Sequence, residues 1–214
     1  GVGLVGSEMC IRDRSIASMI LGAVAAINQK NIKRLIAYSS ISHMGYAIAG
    51  ISTGTESGFK STIIYILIYS AMNIGFFAFV FLMKRSGKYI EDINELSGIS
   101  KNHPLAALSL LIVLFSLAGI PPLAGFFAKF YIFMSVIESG MYALAIIGLV
   151  TTVVSAFYYI RIVKVMYFDS PKKPFENFRN YGVYGSLIFS CIFLSSFFMY
   201  PSIFNGIISK INIF

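Results

Sequence analysis

Lys129 is the one charged residue in an apolar stretch that runs from Pro104 to Ile137. It lies about one helical turn beyond Gly119-Ile-Pro-Pro-Leu-Ala-Gly125. An amine in apolar surroundings is costly in its charged form, so it can take up a proton and give it back. Ionisable groups inside membranes are functional candidates for that reason. The plainer alternative is a lysine near a helix end whose stem snorkels to an interface, and spacing leaves both open. Lys33 opens a second polar series. Tyr38, Ser42 and Tyr46 follow it at intervals of roughly four, so the four could share one interior face of a helix. His43 lies off that stripe, either as a hydrogen-bonded interior histidine or as a relay. Tyr65, Tyr69 and Asn73 recur every fourth residue and would either wet a cavity or bind helices together. Arg34, and Arg161 with Tyr158 and Tyr159, read as interfacial anchors, and Glu138 as solvated. The sequence shows no nucleophile with a base, no phosphate loop and no carboxylate pair. Two histidines and two widely separated cysteines, Cys10 and Cys191, predict neither a metal or haem site nor a disulfide framework.

The elements that position these groups follow from length and composition. The chain has 214 residues, 57% hydrophobic and 12% charged, with mean hydropathy +0.78. Soluble domains carry about twice that charged share, so the chain reads as an all-α integral membrane protein. Six apolar segments are predicted, at about 15–29, 35–51, 59–83, 104–137, 141–168 and 182–200, the last with a weakly amphipathic tail beyond Pro201. As one straight helix, Pro104–Ile137 would measure roughly 51 Å against a hydrocarbon core of about 30 Å. Gly119, Pro121, Pro122 and Gly125 supply a break, and backbone freed at such depth must face protein or a wet cavity. The net charge of +8 implies no nucleic acid, since no soluble basic domain carries it. Its distribution implies orientation instead. Basic residues concentrate in the loops at 30–34, 84–101 and 161–179, while Lys60 and Lys210 alone mark the other side. The basic loops are expected in the cytoplasm and the C-terminus on the outer side. Residues 1–14 switch abruptly from apolar to charged and resemble translated adapter read-through; they are expected to be a non-native leader, or else a short polar loop.

Three stretches carry a family resemblance: Asn31–Tyr46 (NIKRLIAYSSISHMGY), Ser116–Tyr131 (SLAGIPPLAGFFAKFY) and Tyr158–Tyr167 (YYIRIVKVMY). In content and order they resemble the antiporter-like membrane subunits of respiratory complex I, over about residues 15–170. Gly119-Ile-Pro-Pro followed by Ala128-Lys-Phe130 is most similar to the N type of subunit. The resemblance implies two inverted five-helix repeats within fourteen helices, each repeat holding a broken helix, with protons moving through linked half-channels. The six spans here would resemble helices nine to fourteen, residues 15–170 belonging to the proton-conducting domain and 171–214 to a cytoplasmic loop and last helix. Lys129 would match the lysine of the second broken helix, assigned to the outer half-channel, and Lys33 a second motif lysine. The first eight helices would lie outside this chain, which is then expected to be a C-terminal fragment without a complete proton path.

The expected function is proton translocation within an NADH–quinone oxidoreductase of a bacterial inner membrane. By the resemblance, NADH, FMN, iron–sulfur clusters and quinone belong to other subunits, none being bound here. The expected partners are neighbouring antiporter-like and small membrane subunits and the lipid bilayer. Two alternatives are a subunit of a multisubunit cation/proton antiporter and a membrane scaffold without transport.

Overall fold

The computed structural model describes residues 2–85, 87–175 and 181–199, of which 2–8 and 197–199 by backbone alone. Three long helices open the chain, α1 (Val2–Ile27), α2 (Ile32–Ile51) and α3 (Glu56–Leu82). The helix runs through the charged stretch expected to be a loop or leader, where Glu8, Met9 and Arg12 are good helix formers and no Pro or late Gly interrupts. Asn31 starts α2 by accepting from the backbone N–H groups of Lys33 and Arg34, and Thr55 starts α3 by accepting from that of Gly58. The Ser15 hydroxyl donates to the Gly45 carbonyl (2.7 Å) and Ser42 to that of Met19 (3.3 Å), joining α1 and α2 as an antiparallel pair.

A short hairpin follows, β1 (Lys84–Arg85) against β2 (Lys88–Tyr89), then a 3-10 turn at Ile93–Leu96 and one helical turn, α4 (Ile99–Asn102). The apolar run beyond it forms two helices of 15 residues each, α5 (Pro104–Ala118) and α6 (Ala124–Glu138). The chain returns through α7 (Tyr142–Phe168) to α8 (Tyr181–Met199), where the Ser190 hydroxyl donates to the Ala71 carbonyl of α3 (2.7 Å). The 27-residue helices α3 and α7 are each long and apolar enough to cross a membrane. Outward positions such as Leu67, Val153 and Phe157 are exposed and apolar, as lipid contact requires. The expected tail beyond Pro201, with Lys210, and Arg179 lie outside the described residues.

One end of the bundle gathers the connections. Residues Asn31 and Asp92 form a β-bridge, the Lys33 amine pairs with Glu91 (2.7 Å), and the Asn31 amide donates to the same carboxylate (2.7 Å). Glu95 takes Arg85 (2.6 Å) and Lys172 (2.8 Å) together. Three loops far apart in sequence are thereby clasped into one loop face.

Candidate functional site: a buried lysine at a helix interruption

The backbone builds the site before any side chain does. Helix α5 stops because Gly119 takes a left-handed conformation (φ +81°) that other residues adopt at a cost. The Gly119 N–H then reaches the Ser116 carbonyl (3.0 Å) and the Ile120 N–H that of Phe115 (3.0 Å), the two bonds of a Schellman cap. This satisfies the Phe115 and Ser116 carbonyls and leaves those of Leu117 and Ala118 without a helical partner. Pro121 and Pro122 have no N–H to offer them. Helix α6 starts beside the last turn of α5, close enough that the Gly125 N–H donates to the Ser116 hydroxyl oxygen (3.0 Å). A Cβ on Gly125 would fall 1.8 Å from the Ser116 carbonyl oxygen, so only glycine fits there.

Lys129 completes the arrangement. Helical side chains lean toward their own N-terminus, so a lysine one turn into α6 points back at the end of α5. Its Nζ donates to the Leu117 and Ala118 carbonyls, each at 3.2 Å, and lies 5.1 Å above the centre of the Tyr46 ring. The side chain is buried, 4% exposed, so the snorkelling alternative is excluded. The negative end of the α5 dipole and the face of the ring are the partners that the amine meets there. Among the described residues no carboxylate pairs with it.

A polar column adjoins the lysine. The Tyr46 hydroxyl donates to Thr151 Oγ1 and accepts from Thr152 Oγ1, both 3.2 Å. The His43 ring meets Tyr46 edge-on at 6.0 Å and stacks on Tyr69 at 4.9 Å. Its Nδ1 bonds the Tyr65 hydroxyl (2.6 Å) and its Nε2 that of Tyr159 (3.3 Å), which in turn bonds Ser39. Tyr69 Oη and Asn73 Oδ1 are buried without a hydrogen-bond partner, which makes them places for water.

The interior face of α2 is therefore Ser39, Ser42, His43 and Tyr46, spaced i, i+3, i+4 and i+7, rather than the stripe beginning at Lys33. Lys33 itself sits on the loop face, its side chain 45% exposed beside Glu91. Tyr38 is half-buried. Tyr158 and Tyr159 are fully buried instead of serving as interfacial anchors. Arg161 donates to the Ile27 carbonyl (3.0 Å), occupying the C-terminal end of α1. Thr151, Thr152 and Ser39 were not candidates from sequence; the i, i+3, i+4, i+7 polar spacing on α2 was the available signal for Ser39.

Residues 10–155 match the family described as NADH:quinone oxidoreductase/Mrp antiporter, transmembrane. The chain is 58% identical over 93% of its length to NADH-quinone oxidoreductase subunit N of Pelagibacter ubique (strain HTCC1062), covering 42% of that protein. It is 51% identical over 88% of its length to the subunit N of Parvibaculum lavamentivorans (strain DS-1 / DSM 13023 / NCIMB 13966), covering 39% of it. A chain of respiratory complex I from Thermus thermophilus with bound aureothin shares the fold, with TM-score 0.75 and 28% identity over 90% of this chain and 44% of that one. The chain thus spans about two-fifths of the length of the curated relatives it matches. With helices apolar on their outer faces and an amine enclosed at an interruption between two of them, it belongs to the NADH:quinone oxidoreductase/Mrp antiporter transmembrane family of membrane proteins.

Proposed function

We propose that this chain carries a proton-loading site of a proton-translocating membrane subunit in an NADH–quinone oxidoreductase. One observation carries the reading. The Lys129 amine is enclosed, and its charge is balanced by two backbone carbonyls and a ring face instead of a carboxylate. Such an amine keeps its proton only while that alignment holds. A small shift of α5 against α6, or a change in hydration, moves the proton without breaking a salt bridge. His43, Tyr69 and Asn73 then serve as the polar surroundings through which water reaches the lysine. Lys33 is not among them, because its side chain stands in the loop face.

In this reading six helices span the bilayer, with α5 and α6 as the halves of one broken span. The basic loop face lies in the cytoplasm of a bacterial inner membrane and the C-terminus outside. The chain binds no redox cofactor of its own; redox energy reaches Lys129 through neighbouring membrane subunits that reposition α5 and α6. The cation/proton antiporter alternative shares the family, but relatives above half identity carry the subunit N name, which favours the first reading. Lys129→Ala in the full-length subunit, assembled in its complex, is expected to reduce protons pumped per NADH while the complex still assembles. Wild-type stoichiometry in that variant overturns the proposal.

A further inference from the structure

Resting on that reading, we infer that Thr151 and Thr152 are positioning residues for the Lys129 amine. They hold the Tyr46 hydroxyl, and through it α7 sets the ring face that the amine meets.

Tyr46 touches the lysine with its ring and α7 with its hydroxyl. The Lys129 Nζ lies 5.1 Å from the ring centre, and the phenol is fully buried. His43 and Phe133 meet the ring edge-on at 6.0 Å, and Tyr65 does so at 6.3 Å. An aromatic ring attracts a cation over its face and repels it at its edge. The tilt of Tyr46 therefore decides what the amine meets. Packing limits that tilt loosely, because the torsion that rocks a phenol is broad. The hydroxyl is at the end of the ring furthest from α2, where a directional bond fixes it.

Two adjacent threonines supply the bonds. Tyr46 donates to Thr151 Oγ1 (3.2 Å), while Thr151 donates to the Gly148 carbonyl (2.9 Å). The phenol proton is thus committed to α7. Thr152 has one hydroxyl hydrogen and two acceptors in reach, the Tyr46 oxygen at 3.2 Å and the Gly148 carbonyl at 3.0 Å. Bonding the carbonyl four residues back bends a helix, whereas bonding Tyr46 ties α7 to α2. A bend of α7 at Gly148 and the grip on Tyr46 draw on the same hydrogen.

The same turn of α7 reaches the ring a second way. A Cβ on Gly148 would fall 2.4 Å from Phe133 Cε1, so α7 lies against the Phe133 ring and that ring against Tyr46. Phe133 follows Lys129 by four positions, on the same face of α6. Movement of the Gly148–Thr152 turn therefore acts on Tyr46 at its hydroxyl and at its edge. The Leu117 and Ala118 carbonyls belong to α5. The amine has one set of partners fixed to α5 and another governed from α7, and displacing α7 changes the balance between them.

The test uses the full-length subunit in the assembled complex, reconstituted in vesicles, with protons pumped per NADH read beside the amount of complex assembled. Thr151→Val with Thr152→Val keeps the side-chain shape and removes both hydroxyls. It is expected to lower pumping toward the Lys129→Ala value while the complex assembles. Thr151→Ser with Thr152→Ser, which retains the hydroxyls, is expected to pump as wild type. Tyr46→Phe is expected to match the valine pair, and adding the valine pair to Tyr46→Phe is expected to cost nothing further. Wild-type pumping in Tyr46→Phe or in the valine pair overturns the inference, as does a serine pair that pumps no better than the valine pair. Further loss on combining the valine pair with Tyr46→Phe overturns it too, because threonines that only support α7 would add their effect. If the valine pair does not assemble, Tyr46→Phe alone decides. Full pumping in Lys129→Ala sinks the functional reading. Lowered pumping there beside full pumping in Tyr46→Phe sinks this inference alone.

Discussion

At Lys129 the amine faces two carbonyl oxygens and one aromatic ring, a set of partners that side-chain chemistry alone would not suggest. A lysine paired with a carboxylate would resist deprotonation through a full opposite charge. Here the opposing charge is the partial charge of a helix end, about half an electron, so modest movements change the balance. Lys33 shows the opposite case. It pairs with Glu91 at 2.7 Å with both side chains more than 40% exposed, and water screens such exposed pairs so that they add little to stability. Lys33→Ala is expected to leave both pumping stoichiometry and thermal stability of the complex close to wild type. A loss of pumping as large as that in Lys129→Ala would return Lys33 to the proton path. The two lysines were both candidates from spacing, and spacing could not separate them. One belongs to a helix start held by a neighbouring loop, the other to a turn of α6 aimed at the end of α5.

The α5–α6 junction turns a backbone irregularity into a seat for the Lys129 amine. The Schellman cap consumes two of the last carbonyls and leaves two for the amine. Gly119 holds both the cap and the space, since a Cβ there would approach Lys129 Cδ to 3.1 Å. Gly119→Ala is expected to destabilise the complex by about 1–2 kcal/mol through the left-handed backbone and to lower pumping by shifting the lysine. Thermal unfolding of the purified complex, read beside proton stoichiometry, checks both. Gly125→Ala is expected to be harsher and to reduce assembly, because its methyl would overlap the Ser116 carbonyl. Pro-Pro and paired glycines made the interruption legible in the sequence. The capping pattern, which decides which carbonyls are left over, was not.

Across the whole molecule, the loop face is held by carboxylates shared between distant segments. The Lys172 ammonium, followed by the Arg85 guanidinium, holds the Glu95 carboxyl below the usual carboxylate range by hydrogen bonding. Lys33 and Asn31 act likewise on Glu91. A folded-state pKa depressed in this way adds stability above the ordinary carboxylate pKa of about 4.3, and that stability is lost as pH falls through the lower folded value. Amide hydrogen exchange at Gly98, which donates to Val165, and at Lys172, which donates to Ser97, taken relative to the intrinsic amide rate at each pH, is therefore expected to stay slow above about pH 5 and to quicken in acid. Glu95→Gln is expected to quicken it at neutral pH already. Equal exchange in the variant and wild type at pH 7 would show that Glu95 does not clasp these loops.

The sequence by itself determined that the chain is helical and membrane-embedded, where most of its helices lie though not the start of α1, and that the Pro104–Ile137 run is interrupted near Gly119. Those properties follow from local composition, from the bilayer's thickness and from residues that cannot continue a helical ladder. Only the tertiary structure decided which way Lys129 points, that Lys33 leaves the interior, and that His43 bonds Tyr65 and Tyr159. The reason is physical. Helices apolar on every side show no amphipathic stripe, because lipid and protein interior are equally apolar. Rotation about the helix axis is then set by packing between segments far apart in the chain, and Tyr159 meets His43 across 116 positions.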